Sequence, residues 1–158
     1  MTGRDEVAAA MAYFERSEDI GLLHELLDEL APRVKRAVGR LLARGTEESI
    51  PAPAELRPAR ELASREQAAA TLRGTDDFGL MQVLARSIGQ RIEAIEIVAS
   101  ADFPEGARVA VPPVARYPAS GTPVEGTVEQ TGTSLRVLLD NGETWQGPPS
   151  LARLAGPG

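Results

Sequence analysis

The apolar residues of this chain recur at helical spacing as far as about Ser100, then at the two-residue spacing of strands, and no all-α or all-β fold satisfies both patterns. The change falls in Ser100-Ala101-Asp102-Phe103-Pro104-Glu105-Gly106, where a Pro and a Gly punctuate the chain. With 158 residues there is room for one ordinary domain or two very small ones. The sequence therefore predicts an α+β chain, with a bundle of about four helices over 1–102 and a small five-stranded barrel over 103–158.

Thr2, with Asp5 three residues on, reads as the cap of a first helix ending near Arg16. Ser17, followed by Glu18 and Asp19, reads as the cap of a longer second helix that Gly45 ends. Its face is Ile20, Leu23, Leu27, Leu30, Val34, Ala37 and Leu41, widened by Leu22, Leu26, Val38 and Leu42. Acids come early in it and arginines late, the order a helix dipole favours. Pro32 interrupts the hydrogen-bond ladder but not the apolar register, which predicts one kinked helix. Glu47 to Pro58 holds three prolines and reads as a stiff connector. A third helix is expected from Ala59 to Arg73, and Thr75 reads as the cap of a fourth, with Asp76 and Asp77 in its first turn. Met81, Leu84, Ile88, Ile92 and Ile95 form the stripe of that fourth helix, making helices two and four the expected antiparallel partners. A bundle of such short pieces is expected to form a homodimer.

Beyond Gly106, alternation marks strands at Arg108–Val111, Val124–Glu129, Ser134–Leu139 and Glu143–Gln146, with Asp140-Asn141-Gly142 as a hairpin turn. Pro148 to Leu154 reads as a helical turn and a short closing strand. The layout of Gly106-Ala107-Arg108-Val109, Glu125-Gly126-Thr127-Val128, Leu135 to Thr144 and Leu151 to Leu154 resembles the SH3-like small barrels of the KOW and Tudor type. It departs from them at Ala107, where many such domains carry an acid, and in the long Pro-rich loop from Pro112 to Thr122. The resemblance covers about a third of the chain and implies a binding module that holds protein segments, RNA or DNA.

No enzyme, cofactor or metal is expected. His24 is the only histidine; Asp28 lies one helical turn away, but the second histidine of a zincin motif is missing, and Gly21 stands where a Glu-x-x-His pattern needs an acid. There is no cysteine, no phosphate-binding Gly-rich loop and no nucleophile elbow. The start Met1-Thr2-Gly3-Arg4-Asp5-Glu6 does not read as a signal peptide, and no segment reads as a membrane span. Lys35 is the only lysine among 17 basic residues. Together with abundant Ala, Gly and Pro, this suggests a GC-rich bacterial source, while the absence of cysteine predicts a cytoplasmic protein.

Two groups of residues are candidate binding sites. Arg33, Arg36, Arg40 and Arg44 recur at three and four residues, a helical face able to meet phosphates or an acidic partner, or simply a solvated one. In the barrel the register decides. A two-residue Asn141-Gly142 turn pairs Trp145 with Leu138 and turns both outward, a docking patch with Tyr117 and Arg136; a three-residue Asp140-Asn141-Gly142 turn pairs Trp145 with Val137 and buries it. The sequence thus predicts a non-enzymatic adaptor or regulator, self-associating through its helices and binding a protein partner through the barrel. The alternatives are a nucleic-acid-binding protein, which the net charge of −6 opposes, and an accessory subunit of an enzyme or of a phage or plasmid assembly.

Overall fold

The computed structural model describes residues 3–43 and 56–155. Its helices are α1 (Arg4–Arg16), α2 (Ile20–Ala43), α3 (Arg65–Gly74) and α4 (Phe78–Ser100). Five strands follow, β1 (Arg108–Val111), β2 (Val124–Gln130), β3 (Leu135–Leu139), β4 (Thr144–Gly147) and β5 (Arg153–Leu154), with a 3-10 turn at Pro149–Leu151 before the last. The chain is therefore α+β. It forms two compact units, Met1–Arg91 and Ile92–Gly158, which part inside α4 rather than at residue 103. Among the described residues no helix is long and apolar enough to cross a membrane.

The helix starts differ from the expected ones in a consistent way. Ser17 and Thr75 end the preceding helices, each donating its backbone N–H to the carbonyl three residues back. The side chain that caps the next helix is the acid two residues later. Asp19 Oδ1 accepts from Leu22 N at 3.1 Å, and Asp77 Oδ1 accepts from Leu80 N at 3.0 Å. A carboxylate at the positive end of a helix is favoured over a hydroxyl that can instead be buried, and Ser17 and Thr75 are both buried. Helix α3 begins at Arg65, not Ala59, because Ser64 and Gln67 form a reciprocal capping box there. The N-cap of α1 is Gly3. Thr2, the expected cap, lies outside the described residues, as do Gly45 and most of the Pro-rich connector.

In the helical unit, Leu22, Leu23, Leu26, Leu30 and Ala37 of α2 are buried, Ile20, Leu27, Val34 and Val38 are half-buried, and Leu42 is exposed. Helix α2 continues through Pro32 as one element. The closest helix pair is α1 with α3 rather than α2 with α4. Both helices bury small side chains, Ala8, Ala10 and Ala12 on α1 and Ala68 and Ala69 on α3, which permits a close backbone approach.

In the second unit the strands form one antiparallel sheet in the order β4-β3-β2-β1-β5. Strand β3 alternates strictly, with Leu135, Val137 and Leu139 inward and Arg136 and Leu138 outward. These inward residues, with Phe103, Val109, Val111, Val128 and Trp145, are the core. Strands β4 and β5 are the two edges, so the sheet is open.

Candidate partner-binding surfaces

The β3–β4 turn sets which residues the sheet offers to solvent. Leu139 N donates to Glu143 O at 2.8 Å and Gly142 N donates to Leu139 O at 2.9 Å, a three-residue loop. A two-residue type I′ turn needs positive φ at both central positions. Among the described residues only glycines have positive φ, and here it is Gly142 at 91°. Asn141 Oδ1 accepts from Glu143 N at 2.9 Å and fixes the loop from within. Trp145 consequently pairs with Val137 and is only 4% exposed. The docking patch of Trp145 beside Leu138 is not formed, because one extra loop residue puts the two on opposite faces. Gly147 makes room for the indole: a Cβ there would lie 2.9 Å from Trp145 Cη2 and 2.5 Å from Ala115 Cβ. The buried Trp145 Nε1 has no hydrogen-bond acceptor among the described residues.

Leu138 and Arg136 do share the outer face, where Leu138 is 43% exposed. Their neighbours on β4, Thr144 and Gln146, are also exposed. The adjacent strands are tied by Arg108, which donates to both Asp140 oxygens at 2.7 Å and to Thr127 Oγ1 at 3.2 Å, with Glu125 at 3.9 Å. Hydrogen bonding to Arg108 holds the Asp140 carboxyl below its usual range, and the same bond raises Arg108. This bidentate pair orders the charged part of the face. Next to it a groove of about 540 Å³ is lined by Ala110, Val124, Glu125, Asp140 and Arg153.

Tyr117 is not on that surface. Its hydroxyl lies 2.6 Å from Ser150 Oγ, and Ser150 in turn donates from Oγ and from N to the two oxygens of Glu96, each at 2.7 Å. Since the single Ser150 hydroxyl proton goes to Glu96, Tyr117 is the donor to Ser150. Burial is the main cause that raises the Tyr117 hydroxyl above its ordinary value. Glu96, 2% exposed, anchors the 3-10 turn. Sequence reasoning did not single it out, although a signal exists: Glu96 follows Leu84, Ile88 and Ile92 at intervals of four, a carboxylate on an otherwise apolar stripe.

In the helical unit, Arg33, Arg36 and Arg40 border one groove of about 780 Å³ with Gly39, Ala43, Asp76 and Met81. Arg33 is already engaged. It donates to Leu72 O at 3.0 Å and to Thr75 O, satisfying the C-terminal carbonyls of α3, with Asp76 at 3.9 Å. Arg36 and Arg40 are exposed. Arg44, the fourth of the series, lies outside the described residues. Among the described residues no group of three or more His, Asp or Glu side chains is placed to hold a metal ion.

No protein-family model matches the chain, and no curated protein or solved structure matches it significantly.

Proposed function

We propose that this chain is a non-catalytic adaptor or regulator, with a self-associating helical unit and a second unit that is an SH3-like barrel binding a protein segment. The strand order β4-β3-β2-β1-β5, with a 3-10 turn between β4 and β5, supports the barrel reading. The observation that carries the function is the pairing of exposed Leu138 with Arg136 on a face stiffened by Arg108 and Asp140. An aliphatic side chain beside a guanidinium without an ion pair among the described residues fits a segment that brings an apolar residue and a carboxylate two strand positions apart. Nucleic acid fits poorly: residues 92–158 hold four arginines, no lysine and eight carboxylates, the opposite of a phosphate-binding surface.

Selection from a random peptide library against the full chain tests this, with Leu138→Asp as the control and circular dichroism as the check on folding. Peptides enriched in an apolar residue near an acid, and lost with Leu138→Asp, support the reading. Failure to enrich any peptide, together with micromolar, salt-sensitive binding of duplex DNA or RNA, contradicts it.

A further inference from the structure

Helix α2 carries its charges in two blocks, with Glu25, Asp28 and Glu29 before Pro32 and Arg33, Lys35, Arg36 and Arg40 after it. The helix dipole favours this order but accounts only for Arg40 in the last turn, because its effect fades within the first and last turns and Asp28 and Arg36 lie well inside Ile20–Ala43. Within one chain the arrangement is mildly unfavourable, since it sets like charges four residues apart at Glu25 and Glu29 and at Arg36 and Arg40. Two members are answered inside the chain: Glu29 by Arg73, and Arg33 by the end of α3. Asp28, Lys35, Arg36 and Arg40 are exposed and form no ion pair among the described residues. Gly39 lies on the same side as Arg36. A Cβ there would meet nothing within 4 Å, so the fold itself does not require glycine, which is unfavourable inside a helix.

We infer that this face binds a second copy of the chain, the two α2 helices running antiparallel about a two-fold axis near Pro32. That symmetry brings each acidic block against the basic block of the other copy. Asp28 then lies within reach of the partner's Lys35 and Arg36, and Glu25 within reach of the partner's Arg40. The groove beside Arg36, Gly39 and Arg40 seats the incoming acids. An isologous contact of this kind is self-complementary by construction, and charge fixes its antiparallel direction because parallel helices would set like blocks together. The inference rests on the self-association proposed above and names its surface.

The test uses two full-length variants, Glu25→Arg with Asp28→Arg, and Arg36→Glu with Arg40→Glu, followed by sedimentation velocity at low and high salt. The wild type is expected to be a dimer whose dissociation constant rises about tenfold or more with salt. Each variant alone is expected to be monomeric, and an equimolar mixture to form a heterodimer, since one copy then carries bases and the other acids at all four of positions 25, 28, 36 and 40. Gly39→Phe, placed in open space within the chain, is expected to keep the helical signal and lose the dimer. A monomeric wild type would overturn both the surface and self-association. A dimer indifferent to all three variants would overturn the surface alone.

Discussion

Trp145 faces Val137 across the β3–β4 ladder and is buried, whereas Leu138, the residue after Val137, points to solvent. The sheet thus spends its one tryptophan on its own core and offers partners an aliphatic side chain. Trp145→Ala should cost about 3–5 kcal/mol in the unfolding of this unit, followed by urea titration and circular dichroism. Trp145→Phe should cost much less, because the indole N–H it removes has no acceptor among the described residues.

Gly142, at φ 91°, makes the three-residue turn possible. Gly142→Ala should destabilise the sheet unit by about 1–2 kcal/mol, the usual cost of forcing a side chain into left-handed backbone. A Gly142→Asn variant, whose side chain tolerates that region, should recover part of the loss in the same titration.

The shape of the sheet was legible because β3 alternates without exception from Leu135 to Leu139 and Gly142 follows two good turn residues. The register was not, since Asp140-Asn141-Gly142 suits two loop lengths, and only the backbone angles chosen in the fold separate them. Two helix starts lie two residues beyond the expected hydroxyl caps, where Ser17-Glu18-Asp19 and Thr75-Asp76-Asp77 each offer several caps. Burial of the hydroxyl, a tertiary matter, decided for the acid. The α1–α3 contact was hidden for a related reason: an Ala-rich stripe looks weak beside the Leu stripe of α2, yet small residues allow the closest approach.

Glu96 holds the 3-10 turn through both carboxylate oxygens. Glu96→Ala should cost about 2–3 kcal/mol or more, because it leaves the Ser150 N–H and hydroxyl without their charged acceptor. Ser150→Ala should cost less, since the backbone bond survives. Hydrogen exchange at Ser150 and Leu151 gives the local readout.

Arg108 and Asp140 make the outer face sensitive to acid. The folded-state pKa of Asp140 is lowered by hydrogen bonding to Arg108, so its contribution is present above the ordinary aspartate value of about 3.9 and is lost as pH falls through the lower folded value. Carbon-13 NMR titration should place the Asp140 midpoint below that of an ordinary aspartate, and Arg108→Ala should move it back up.

The claim that a partner segment binds the outer face of the sheet is tested most directly by amide chemical-shift mapping of the full chain titrated with a selected peptide. Shifts centred on Arg136, Leu138 and Thr127 are expected, and they should be absent with Leu138→Asp. Shifts centred on α2, or an unchanged response in Leu138→Asp, would contradict it.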